Sequence, residues 1–272
     1  MSPFLFSVDL EEFTPAQPGA DFRRTALPKL TEGYLELLRR HQARATFFVV
    51  GEVAEQFPSL VREIAAEGHE LACHTHTHRP LNRHTPESFR DDLARNLDAV
   101  RACTACPVTG FRAPVLSLTE KTRWAYPILA EAGIRYSSSV LPAPNPLHGW
   151  PGFGLLPQCI DGVLELPITL AKFAGAELPI GAGTYFRCLP FGAIRRRFRD
   201  CAAKGIPVVG YFHPYDIDTH QQWVMNDGVR GNPALNFLLY LNRSKTIKRL
   251  DALLQEGFHI LPYDAHLFSN PL

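Results

Sequence analysis

The sequence predicts an α/β domain in which parallel strands close into a barrel, and three observations carry that reading. Apolar runs rich in Phe, Val and Ile alternate with amphipathic stretches of helical length, the pattern of repeated β-α units. The alternation continues through five or six units without a break, and 272 residues suit a single closed α/β barrel. No dinucleotide fingerprint points to an open sheet: Gly181-Ala182-Gly183 lacks the third glycine of that motif.

Phe4 to Val8 reads as the first strand, and Leu27 to His41 as a helix with Leu30, Tyr34, Leu37 and Leu38 at helical spacing. A strand over 45–50 and a helix from Val53 to Glu67 follow, the helix stopped by Gly68. His69 to Cys73 is the next strand. Thr85-Pro86 is a helix start with proline at the first position, leading into Phe89 to Cys103. Strand Gly110 to Ala113, a helix from Thr119 to Ala132 capped by Gly133, and helices over 190–204 and 243–256 with strands over 206–212 and 258–261 complete the series. One stretch breaks the pattern: Pro142, Pro144, Pro146, Pro151, Pro157, Pro167 and Pro179, seven of the 23 prolines, fall within 38 residues. This reads as a loop-rich insert at about 140–190 that shapes a substrate site, with His148 and Trp150 as lining candidates.

Composition narrows the function. With 28 basic against 27 acidic residues the net charge is +1, so there is no long-range field to draw in nucleic acid or an anionic membrane. No run approaches the roughly 20 apolar residues of a membrane span, and the first residues lack a signal peptide's basic region, so the expected location is the cytoplasm. The six cysteines are scattered, and the lone Cys103-x-x-Cys106 has no second pair to complete a zinc site. Histidine is uneven. His69, His74, His76, His78 and His84, five of 11, lie within 16 residues.

In Cys73-His74-Thr75-His76-Thr77-His78-Arg79-Pro80, a turn or short helix after the strand brings His74 and His78 onto one face and sends His76 away. That pair is half of a site for a divalent transition metal. Asp9 and Glu11, two apart at the carboxyl end of the first strand, project to the same side and can divide labour as proton acceptor and metal ligand. Arg112 in Gly110-Phe111-Arg112-Ala113-Pro114 and His213 in Tyr211-Phe212-His213-Pro214 each end an apolar run beside a proline. Four strand ends supplying carboxylates, a His pair, an arginine and a histidine make one convergent site.

At these residues the chain resembles the polysaccharide deacetylase superfamily, also called NodB-homology or carbohydrate esterase family 4, most closely its branch associated with exopolysaccharide loci. The motifs fall in order along nearly the whole chain: Phe6-Ser7-Val8-Asp9-Leu10-Glu11-Glu12, Thr46-Phe47-Phe48-Val49-Val50-Gly51, Gly68-His69-Glu70 to His78, Gly110 to Pro114, and Tyr211-Phe212-His213-Pro214-Tyr215-Asp216. The segment Leu178 to Gly183-Thr184-Tyr185-Phe186-Arg187 also resembles that branch. The resemblance implies a distorted (β/α)7-type barrel as a single domain over 1–272, and metal-assisted removal of N-acetyl groups from an N-acetylhexosamine saccharide. It implies Asp9 as catalytic base, Glu11, His74 and His78 as ligands of a divalent metal (Zn2+ first, Co2+ or Ni2+ otherwise), Arg112 as the holder of Asp9, and His213 as general acid. Val115, through its N–H just past Pro114, and Tyr185 and Trp150 are the expected substrate contacts.

Two departures stand out. The commonest motif has two adjacent Asp, whereas Leu10 takes the second place here, so the acidic ligand moves to Glu11 or, second, Glu12. Ser137 stands where relatives often carry the Asp that orients the acid histidine. The competing readings are an allantoinase-like cyclic-amide hydrolase, which the intact His pair disfavours, and a carbohydrate-binding protein without catalysis.

Overall fold

The computed structural model describes residues 3–14, 16, 26–145 and 147–269; Pro146 and the first two residues lie outside them. Its strands are β1 (Pro3–Leu10), β2 (Thr46–Val49), β3 (Glu70–Cys73), β4 (Gly110–Phe111), β5 (Tyr136–Ser137), β6 (Gln158–Ile160), β7 (Val163–Glu165), β8 (Leu170–Phe173), β9 (Ala176–Pro179), β10 (Val208–Phe212) and β11 (His259–Leu261). Its helices are α1 (Leu27–Arg40), α2 (Gly51–Gln56), α3 (Pro58–Ala66), α4 (Pro86–Arg101), α5 (Ala125–Glu131), α6 (Gly183–Cys188), α7 (Phe191–Ala203), α8 (Pro233–Tyr240), α9 (Thr246–Gln255) and α10 (Tyr263–Ser269).

Seven strands in the order β10-β1-β2-β3-β4-β5-β7 run parallel. The sheet curls into a half-barrel, β6 adds antiparallel to β7, and β11 pairs with Pro3–Leu5 of β1 below the point where β2 takes over at Ser7. Central β1 is buried along Phe4–Leu10, which explains why it reads as a continuous apolar run rather than an alternation.

The Pro-rich insert does more than connect. It contains β6 to β9, and Ile168, Thr169 and Gly181 tie it to Val140 on one side and to β10 on the other: the Ile168 N–H donates to the Val140 carbonyl (3.0 Å), the Val209 N–H to Thr169 Oγ1 (2.8 Å) and the Tyr211 N–H to the Gly181 carbonyl (3.0 Å). Irregular backbone thereby spans the gap between β7 and β10. Gly181 and Gly210 pack backbone to backbone, with no room for a Cβ on Gly181. The dismissed glycine pair thus has a packing role.

The expected helix Val53–Glu67 is two helices, broken at Phe57 because Pro58 lacks an N–H and its ring collides with the carbonyl four residues back. The expected helix Thr119–Ala132 begins as a 3-10 turn, and only Ala125–Glu131 is α-helical. Thr85 caps α4 as the sequence suggests, its Oγ1 accepting the Ser88 N–H at 3.2 Å. No helix among the described residues is long and apolar enough to cross a membrane.

At the amino ends of the strands, buried Glu70 accepts from Tyr136 Oη (2.6 Å), Thr46 Oγ1 (2.5 Å) and the Asp264 N–H (3.2 Å), tying α10 to the barrel floor. Burial, with Asp264 nearby, pushes its carboxyl up to about 8, against the three hydrogen bonds. The folded value lies above the unfolded one near 4.5, so the stability held by the neutral acid is complete below about pH 4.5 and drains away as pH rises through 8. Thermal midpoints followed from pH 5 to 9 should fall for the native chain and fall less for Glu70→Gln; equal slopes would show that Glu70 does not carry the dependence.

Candidate active site

The carboxyl ends of the strands gather the expected residues. Asp9 is the penultimate residue of β1 and Glu11 follows the strand's end; β3 ends at Cys73 and delivers His74, with His78 one turn later at φ 52°. Thr75, His78, Val115 and Leu116 all adopt positive φ although none is glycine. Such strain is held where surrounding contacts over-determine the backbone, and four of the nine described non-glycine residues with positive φ fall in the two loops that carry His78 and Val115.

One ligand atom each from Glu11, His74 and His78 lies within 4.8 Å of the others. Nδ1 of His74 sits 2.8 Å from the Arg112 carbonyl, which only accepts, so Nδ1 carries the proton and Nε2 presents a lone pair. That lone pair faces Glu11 Oε2 at 3.3 Å, close to the roughly 3.3 Å edge of a tetrahedron with metal–ligand bonds near 2.05 Å. Two acceptors at that distance call for a cation between them. Nε2 of His78, buried and without a hydrogen-bond partner, points at the same Glu11 oxygen. The donor set fits a divalent metal. Burial opposes the charge on Glu11, yet the positive potential of His78 and His213 holds its carboxyl well below the usual range. Tyr215 Oη donates to the other oxygen, Oε1 (3.1 Å), which orients the Glu11 carboxylate. Glu12 stands outside the three-residue group and lines the adjoining cavity.

Asp9 Oδ2 lies 3.9 Å from His74 Nε2, and its other oxygen accepts from Arg112 Nη1 at 2.8 Å. Arg112 is fully buried and satisfied: it also donates to the Ser7 hydroxyl (2.6 Å), the Ser138 carbonyl (2.7 Å), the Ser138 hydroxyl (2.8 Å) and Tyr263 Oη (3.0 Å). Its guanidinium lies over Phe48, 4.2 Å from the ring centre. Against the cost of burial, Asp9 and Tyr263 raise its pKa further, so it stays charged.

His213, after β10, places Nε2 3.8 Å from Glu11 Oε1 and stacks on Tyr215 at 4.5 Å. Its Nδ1 meets Asp216 Oδ2 at 3.0 Å, and the His213 N–H donates to the same oxygen at 2.8 Å. Asp216 is locked by buried Arg187 and sits against Gly183, where any Cβ would collide with its carboxylate. Burial works against the Asp216 charge, but Arg187 and His213 drive its pKa far down. Burial likewise lowers His213, and the bond to Asp216 with the charges of Glu11, Asp216 and Asp9 more than reverses it. Ser137 instead pairs with Ser139 (2.7 Å), whose hydroxyl accepts the Ala113 N–H. The group that orients His213, which Ser137 left open, is Asp216. The signal was available three residues after His213, but only the turn through Pro214 makes those side chains meet.

Val115, at φ 47°, lines the cavity of about 620 Å³ that also contains Glu11 and His78. Its N–H makes no hydrogen bond to another described residue. His148 lines the same cavity, whereas Trp150 packs on Phe153 (5.0 Å) and the main core and does not, because the turn after Pro151 folds its ring inward. Tyr185 lies half-buried on α6, outside this cavity's lining. His69 and His76 are structural: His69 lies on Phe47 (5.3 Å), and His76 Nε2 accepts from Arg95 (2.9 Å).

With this geometry in view, residues 21–137 match the family described as "Polysaccharide deacetylase", and residues 138–261 match a "Domain of unknown function (DUF3473)". Strands from both matches lie in one sheet, so the boundary between them is not a structural one. A chitooligosaccharide deacetylase of Bradyrhizobium sp. is 41% identical over 80 residues, 29% of this chain and 36% of that protein. A peptidoglycan-N-acetylglucosamine deacetylase of Bacillus cereus is 31% identical over 98 residues, 36% of each. The matched part of the chain spans about a third of the length of these curated relatives. Among solved structures, a Mycobacterium smegmatis protein assigned to the polysaccharide deacetylases superposes with a TM-score of 0.55 at 18% identity, covering 93% of this chain and 90% of that one.

Proposed function

From the polysaccharide deacetylase match over residues 21–137 we infer that the chain is a member of that superfamily, NodB-homology or carbohydrate esterase family 4, and that it hydrolyses N-acetyl groups from N-acetylhexosamine units of a saccharide. The observation that carries the reading is the meeting of Glu11, His74 and His78 beside an arginine-held Asp9 and an aspartate-held His213. Glu11, His74 and His78 would hold a divalent cation, Zn2+ for this mixed N and O donor set, which would supply Lewis acidity there.

The protein's own groups do the rest. Asp9 removes a proton from the attacking water, its orientation set by Arg112. The Val115 N–H faces the oxyanion that develops at the acetyl carbonyl. His213 donates through Nε2 to the departing amine, while Asp216 on Nδ1 keeps the ring turned toward it and favours the protonated form. The barrel, with its loop insert at about 140–190, acts as one catalytic unit.

Acetate release from N-acetylated oligosaccharides, with and without chelator, tests the function: release that stops on chelation and returns with Zn2+ is expected, and release unaffected by metal removal would refute it. Asp216→Asn should lower kcat on the amide substrate about 10- to 100-fold, with KM little changed. Hydrolysis of 4-nitrophenyl acetate, whose leaving group needs no acid, should drop far less. Equal losses on both substrates would assign Asp216 a merely structural place.

A further inference from the structure

The cavity that opens from Glu11 and His78 is also lined by Arg79, Arg83 and Arg230. None of the three has a carboxylate within ion-pair distance among the described residues, although Glu11, Glu12, Glu52 and Asp227 share the cavity. Arg230 stands at φ 50°, a conformation a side-chain-bearing residue rarely holds, and its Nη2 reaches Nε2 of buried His148 at 3.4 Å. Arginine always donates, so His148 accepts and is neutral there. Burial, then Arg230 and Arg83, push the His148 pKa down. Like charges are thus gathered around a ring that does not offset them, in a cavity of a size that suits a small ligand, roughly 300–1,000 Å³. Planar guanidinium forks match carboxylate and phosphate oxygens.

We propose that Arg83, Arg230 and Arg79 form a subsite for an anionic group, a carboxylate or a phosphate ester, on the sugar next to the N-acetylhexosamine whose amide lies at the metal. The substrate is therefore an acidic saccharide. This rests on the deacetylase reading and adds the class of polymer to it.

The test compares kcat/KM for acetate release from three tetrasaccharides: neutral N-acetylglucosamine, alternating N-acetylglucosamine and glucuronate, and N-acetylglucosamine with a 6-phosphate on the neighbouring sugar. An advantage of about tenfold or more for either acidic form, shrinking in 0.5 M NaCl, is expected, and which form wins identifies the group. In Arg83→Gln/Arg230→Gln the ratio of acidic to neutral kcat/KM should fall toward one. A native chain that treats all three alike, or a ratio that survives the double substitution, overturns the subsite. Failure to release acetate from any of them refutes the deacetylase reading instead.

Discussion

Asp9→Asn is expected to lower kcat for acetate release by about 10²- to 10⁴-fold while the chain still binds one equivalent of metal. The magnitude is that of losing a positioned general base. An amide nitrogen has no basic lone pair at neutral pH, so the proton of the attacking water has nowhere to go. Metal retention follows from geometry, since Asp9 lies outside the three-residue ligand group and its nearer oxygen is 3.9 Å from His74. The substitution also removes the counter-charge of a fully buried arginine and so costs stability. Kinetics are therefore read well below the variant's thermal midpoint, with metal content measured on the same sample. Full turnover with metal bound would remove Asp9 from the role of base.

The largest stability loss is expected at Arg112. Arg112→Met leaves Asp9, the Ser7 hydroxyl, two oxygens of Ser138 and the Tyr263 hydroxyl without their donor in a place water does not reach. Breaking a buried pair from one side costs about 3–5 kcal/mol. For a chain of this size that is a fall of roughly 10 °C in thermal midpoint by calorimetry. Lysine does not rescue it, because three donors on a point charge cannot reproduce a planar fork that serves five acceptors. The double variant Asp9→Asn/Arg112→Met should lose less than the two single losses added, since neither charge is then left alone. Strict additivity would show that the two residues stand independently.

The spread of these effects follows how the site is built. Residues that act at the end of a strand are held by short local turns, and each was visible as a motif: Asp9 and Glu11 after an apolar run, His74 and His78 four apart, Arg112 before Ala113-Pro114, and His213 before Pro214. Their support comes from elsewhere. Arg187 reaches Asp216 from α6, and Ser138 reaches Arg112 from the segment after β5.

The sequence by itself determined the α/β class, six of the strands in their order, and Asp9, His74, His78, Arg112 and His213 beside an acidic residue at 11 or 12, because hydrophobic periodicity and residue spacing along one strand or one turn are local properties. Only the tertiary structure decided that Glu11 rather than Glu12 joins the two histidines, that Asp216 rather than position 137 steadies His213, and that Trp150 packs inward while His148 lines the cavity. The same holds for the Pro-rich insert, which bridges the open side of the barrel between β7 and β10. Each of these depends on how far apart in space two segments come to rest. That distance is set by the curl of the sheet and the packing of the whole core, and spacing along the chain carries no trace of it.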